Sequence, residues 1–152
     1  MTVADMKKVK LEDLILTVDK QIKIDADVET VWEAMLEQIT SGMDQHNNSP
    51  MNMKLEARPG GRYFRDLGND AGHLWGHVQV IKPPKLLEIT GPLFVSAPSV
   101  SHVQYKIIAE GNGSMLQILH RGFGFVPKDQ LDSIDKGWQM EIDQIKDAAE
   151  SR

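Results

Sequence analysis

His73 and His77 stand four residues apart in HLWGH, the spacing at which a helix aims two imidazoles at one zinc ion. The helical zinc motif also needs a glutamate directly after the first histidine as general base, and Leu74 occupies that position. Gly72 and Gly76 bracket the pair, and Val78, Val80 and Ile81 lead into Pro83-Pro84, a composition that favours a strand. Four residues along a strand span roughly 13 Å, so these two imidazoles cannot share one ion unaided. The chain has no cysteine, which excludes thiolate ligands, cysteine nucleophiles and disulfides. Neither a metal nor another cofactor is expected.

A different histidine offers different chemistry. His120 follows Leu116 and Ile118 at alternate positions, so the three share one face of a strand. With that face inward, an imidazole titrating near neutrality could hydrogen-bond a ligand's oxygen or move a proton. The competing reading is a core histidine satisfied by a backbone carbonyl or a tyrosine hydroxyl. Val103, Tyr105 and Ile107 alternate in the same way, which makes Tyr105, with Tyr63, a second proton-handling candidate. Trp32 and Trp138 fall on helical stripes, where plain core is the commoner role. Met43, Met51 and Met53 could form an adaptable gate over an apolar ligand, or merely pad a loop. The candidate ligand-binding set is His120, Tyr105, Trp138, Tyr63, Val103, Ile118 and Met51, with no residue assigned a catalytic step. No nucleophile elbow, phosphate loop or paired-carboxylate signature is present.

These side chains need elements to hold them. Leu14 to Ile24 alternates towards its end and predicts a first strand. Asp25-Ala26-Asp27 caps a helix whose apolar positions are Val28, Val31, Trp32, Met35 and Ile39. Residues 40–52 predict a loop with at most a helical turn. Strands follow at 53–58, 62–67, 73–82, 86–90, 100–109 and 114–123, separated by turns such as Pro59-Gly60-Gly61 and Glu110-Gly111-Asn112-Gly113. A closing helix over 128–150 carries Leu131, Ile134, Trp138, Ile142, Ile145 and Ala149 at intervals of three and four. Its seven acidic residues against four basic ones, counted over 128–152, are read as a solvated face.

Strand, helix, six strands and a long helix is an α+β order. A curved antiparallel sheet of about six to seven strands wrapped around that helix would leave space between them, the expected cavity. On strand 73–82, Leu74, Gly76, Val78 and Val80 form an apolar face expected to meet the core. His73, Trp75, His77 and Gln79 would then face outward as a candidate homodimer surface, unless a bulge turns Trp75 inward.

The 152 residues predict one domain over 1–152, with 1–13 a loosely packed leading segment. A net charge of -5 without a basic stripe argues against nucleic acid as a partner. The absence of a long apolar run or a cleavable leader argues against membrane and export, so a cytoplasmic protein is expected.

RPGGRYFRDLG (58–68), WGHVQVIKPPKLLEI (75–89), LQILHRGF (116–123) and GWQMEIDQI (137–145), in this element order, resemble the SRPBCC superfamily, also called START-like or helix-grip. Within it the chain is similar to the branch named for the activator of the heat-shock-protein-90 ATPase, over roughly residues 14–150. The resemblance implies a deep, largely apolar cavity under the C-terminal helix. It departs from the family pattern at TSGMDQHNNSPMNM, where many members carry a tryptophan-containing segment. The function expected from this is the binding of an apolar or amphipathic small molecule. The alternatives are a polyketide cyclase or aromatase-like enzyme using His120 with Tyr105 or Tyr63, and a chaperone-associated interaction module. Eukaryotic chaperone activators carry a further N-terminal domain that 152 residues do not accommodate.

Overall fold

The computed structural model describes residues 8–46 and 50–152. After a short 3-10 turn at Leu11–Leu14 come β1 (Ile15–Ile24) and α1 (Val28–Gln38). Strands β2 (Met53–Leu55), β3 (Arg62–Gly68), β4 (Ala71–Lys82), β5 (Leu86–Gly91), β6 (Ser99–Glu110) and β7 (Gly113–Gly124) follow, and α2 (Lys128–Glu150) closes the chain. The seven strands form one antiparallel sheet in the order β1-β7-β6-β5-β4-β3-β2. This is the α+β helix-grip architecture. Most expected strands begin and end within a few residues of their sequence limits, but the strand expected at 53–58 shrinks to three residues. The predicted loop at 40–52 holds a 3-10 turn, Ser41–His46. Of the leading segment, residues 1–7 lie outside the described residues, as do residues 47–49 of that loop.

Alternation places the core. On β6, Ser101, Val103, Tyr105 and Ile107 are buried; opposite them on β7 are Ser114, Leu116, Ile118 and His120. Asp27 caps α1 by accepting a hydrogen bond from the Thr30 amide at 2.8 Å, satisfying one of the free donors at a helix start. α1 buries Val31, Trp32, Ala34 and Met35 on one side. α2 buries Ile134, Trp138, Ile142, Ile145 and Ala149, the stripe its sequence spacing predicts.

How α2 is attached decides where space is left. The helix packs closely against α1 and β1 but scarcely approaches β3, β4 or β5. Polar ties reinforce that side: Lys20 on β1 pairs with Asp135 at 3.0 Å, and the Asp25 amide donates to Glu150 at 2.8 Å. Because the sheet curves away beneath a helix pinned at one edge, side chains alone must bridge the remaining gap.

One expectation fails on β4. Tyr63 pairs with Gly76 and Phe64 with Leu74, so Trp75 has no partner on β3 and forms a bulge. An extra residue in one strand reverses the facing of what precedes it. Trp75 is therefore 8% exposed and Leu74 43% exposed, the opposite of the face assignment made from strict alternation. His77 and Gln79 do face outward and Val78 faces inward, as alternation predicts beyond the bulge. The proposed dimer surface loses its tryptophan to the core. Glycine makes the close approach of β4 and β5 feasible here: a Cβ on Gly91 would sit 2.4 Å from the Gly76 Cα. His73 and His77 lie on the strand as expected, and among the described residues no group of three or more metal-ligating side chains converges.

Candidate ligand cavity

The gap between α2 and the sheet is a partly enclosed cavity of about 300 Å³. Each wall comes from a different element. β3 supplies Tyr63, β4 the bulged Trp75, β5 Ile89 and β6 Val103 and Tyr105. α2 supplies Ser133, Ile134, Gly137, Trp138 and Glu141. The loop after β5 adds Leu93 and Phe94, and the turn after α1 adds Met43. Ser133, Gly137 and Phe94 are the exposed members, so the mouth lies between the first half of α2 and the loop at Leu93. That loop is locally strained: Leu93 takes φ +58°, a region costing a non-glycine residue roughly 1–2 kcal/mol. Its burial and a 2.7 Å bond from its amide to the Trp75 carbonyl hold it there.

Aromatic rings dominate the lining. Tyr63 and Trp75 meet edge to face at 5.5 Å, Trp75 and Phe94 at 5.7 Å, Phe94 and Trp138 at 6.3 Å, and Trp138 and Tyr105 at 6.2 Å. These are the separations at which ring edges favour neighbouring faces.

Of the residues singled out from sequence, Tyr63, Val103, Tyr105 and Trp138 line this cavity together. Ile118 is fully buried in the core but does not reach it. Met51 packs against the core away from the lining, its amide bonded to Asp44; Met43 takes the position instead. His120 is fully buried behind Trp138. Its Nδ1 accepts the Trp138 indole N–H at 2.9 Å, and its Nε2 lies 2.8 Å from the Ser101 hydroxyl. An indole nitrogen only donates, so Nδ1 is unprotonated and the neutral ring carries its proton on Nε2, donating to Ser101. Both nitrogens are thus satisfied, by a serine and an indole rather than by the expected carbonyl or tyrosine. Burial lowers the imidazole pKa from 6.5 to about 4, so the ring is neutral at pH 7.

The residue the sequence reading passed over is Glu141. It faces the cavity one turn beyond Trp138, and its Oε1 is sealed from solvent with no hydrogen-bond partner among the described residues. Burial raises its carboxyl from 4.5 to about 7. The phenols of Tyr63 and Tyr105 are pushed well above 10, chiefly by burial; the Glu141 charge adds to both, for Tyr63 after that of Tyr105. Tyr63 donates to the Ile39 carbonyl at 2.7 Å. Trp75 Nε1 is a second buried polar atom on the lining without a partner among the described residues. A signal for Glu141 did exist: it sits seven residues after Ile134, three after Trp138 and four before Ile145, which places it on the apolar stripe.

The model of the family described as "Activator of Hsp90 ATPase homolog 1-like protein" matches residues 25–150. The chain belongs to this family. Among curated proteins nothing matches this family member. Several solved structures share its fold. CalU16 from Micromonospora echinospora has a TM-score of 0.59 at 23% identity, covering 88% of this chain and 75% of that one. The Aha1 dimer from Colwellia psychrerythraea has a TM-score of 0.64 at 15% identity, covering 89% and 96%. The di-domain ARO/CYC StfQ of the steffimycin biosynthetic pathway has a TM-score of 0.64 at 13% identity, covering 93% of this chain and 53% of that one. Identities this low carry the fold and no more. No helix among the described residues is long and apolar enough to cross a membrane.

Proposed function

We propose that the protein binds a small apolar or amphipathic molecule in the cavity between α2 and the sheet. One observation carries this reading. Protein interiors are close-packed, and voids larger than a water molecule are few. Here an aromatic-walled space of about 300 Å³ stands open at one end of α2. That volume lies at the lower end of the range for small-molecule sites. Tyr63, Val103, Tyr105 and Trp138 would contact the ligand, and His120 would act by holding the Trp138 ring in place. Titration with a fluorescent apolar probe is expected to saturate, and Trp138→Ala to change its affinity. A folded protein that binds no apolar probe would overturn the reading.

A second reading, an enzyme resembling polyketide cyclases and aromatases, is favoured by a specific feature. A carboxyl titrating near pH 7 beside two phenols has the pKa expected of a general acid or base. Mass spectrometry of the protein purified from its own host separates the two. A co-purifying molecule recovered unchanged after incubation supports binding, and a converted one supports catalysis.

A further inference from the structure

We propose that the cavity selects a hydrophobic ligand carrying a cationic amine, with the ammonium held against the Glu141 carboxylate and the surrounding aromatic rings. This rests on the binding reading and names its ligand class. An apolar ligand needs no carboxyl in the wall, and placing one there is costly. Yet Glu141 Oε1 is sealed from solvent and unpartnered, and among the described residues no lysine, arginine or histidine forms an ion pair with it. The missing partner is a donor, and a positively charged donor gains most.

The aromatic lining points the same way. Both tyrosines and two of the three tryptophans of the whole chain line this one cavity. Ring faces carry partial negative charge and attract ammonium groups, more strongly where water is excluded. A carboxylate beside several such rings suits a cation better than either a neutral or an anionic ligand. The net charge of -5 adds an attractive field for a cation approaching the mouth. At the lower end of ligand-site volumes, the cavity suits a compact arylalkylamine.

Around Glu141 both cavity tyrosines and His120 are fixed in charge across the useful pH range. Tyr63 from β3 and Tyr105 from β6 have raised pKa values and stay neutral. His120, behind Trp138, has its pKa lowered to about 4 and is neutral above pH 6. Asp44, in the turn that carries Met43, is engaged by the amides of Met51 and Asn52. Between pH 6 and 8 Tyr63, Tyr105 and His120 keep their charge while Glu141 changes its own.

Three probes of similar shape test the proposal by calorimetric titration: 4-phenylbutan-1-amine, 4-phenylbutan-1-ol and 4-phenylbutanoate. Like a lysine side chain, the primary amine stays protonated between pH 6 and 8, so its pH dependence belongs to the protein. At pH 8 the cation is expected to bind at least about tenfold tighter than the alcohol, and the anion weakest of all. Lowering the pH from 8 to 6 should weaken the cation by about tenfold, since a carboxyl titrating near 7 falls from mostly to barely ionised. Glu141→Gln should remove both the preference and the pH dependence while the alcohol still binds, which shows the cavity intact. A cation no better than the alcohol at pH 8, or a preference surviving in Glu141→Gln, overturns the proposal but leaves the binding reading standing. An alcohol that tightens as pH falls also overturns it, because Glu141 would then be acting as a neutral donor to oxygen. If no probe binds, both readings fall.

Discussion

His120 is buried beneath α2 and Glu141 sits half-buried on α2 one turn beyond Trp138, and the protein treats them in opposite ways. His120 has each ring nitrogen occupied, by the Trp138 indole and the Ser101 hydroxyl. Glu141 presents Oε1 to an apolar wall with nothing among the described residues to satisfy it. A polar group that is matched from within belongs to the scaffold; one left unmatched at a cavity is stability forgone for another purpose. The histidine, which looks like the chemical residue in the sequence, is the strut. The glutamate, which looks like surface, faces the cavity.

The largest effect should come from removing the strut. His120→Leu leaves the Trp138 indole N–H and the Ser101 hydroxyl buried without partners, at roughly 1–3 kcal/mol each. A total of about 2–6 kcal/mol corresponds to a fall in Tm of roughly 4–24 °C for a chain of this length. His120→Gln keeps one hydrogen-bonding group and should lose less. Thermal unfolding of the two variants checks this. If His120→Leu melts within a degree or two of the parent while probe binding disappears, the histidine belongs with the ligand and the contrast breaks.

The second prediction concerns pH and has two signs. Glu141 binds its proton more tightly folded than unfolded, so stability rises as pH falls from about 7 to 4.5, where native but not unfolded chains are protonated there. His120 does the reverse: the unfolded chain takes up a proton below 6.5 and the native one only near 4, so stability falls over that interval. Each swing is about 3 kcal/mol, and between roughly pH 6.5 and 4.5 they oppose one another. The parent protein should therefore show a shallow acid limb. Glu141→Gln should be more stable than the parent by about 1–3 kcal/mol at pH 8, equal to it near pH 5, and should show the steeper acid loss left by His120 alone. Urea unfolding at pH 5, 6.5 and 8 measures all three; a variant less stable than the parent at pH 8 would mean the carboxylate has a native partner.

Most of the scaffold could be read from residue spacing because it follows simple periods. The stripe Ile134, Trp138, Ile142, Ile145 and Ala149 is a helical repeat, and the inward sets on β6 and β7 are strict alternations. What escaped were local departures from period. The Trp75 bulge inserts one residue into β4 and exchanges the faces on its near side, and pairing register rather than composition decides it. Phe94 lies in an irregular loop where no period operates, yet it walls the cavity. Glu141 was obscured by its company: on a helix rich in acids, one more charge reads as solvated, although its spacing sets it on the apolar stripe. Met43 and Met51 share a composition and a neighbourhood, and only the chain path separates the one that lines the cavity from the one that does not.

The smallest effect tests whether the empty space beside Glu141 is real. Gly137 sits mid-helix on α2 and lines the cavity, where a Cβ would meet nothing within 4 Å. A glycine inside a helix costs about 0.8–1 kcal/mol relative to alanine, because the unfolded chain loses more freedom and no side chain shields the backbone. Nothing in the local backbone demands glycine, since its φ does not lie in the positive region that would. Gly137→Ala should therefore stabilise the protein by roughly 0.5–1 kcal/mol with probe affinity little changed. Gly137→Leu should keep most of the helix gain yet fill the mouth and weaken every probe, charged or neutral, to a similar degree. That uniform loss would differ from Glu141→Gln, which acts on the cation alone. An alanine that fails to stabilise would show that the space is already taken by a neighbouring side chain in solution. A leucine that leaves all probes unaffected would move the mouth elsewhere on the cavity wall.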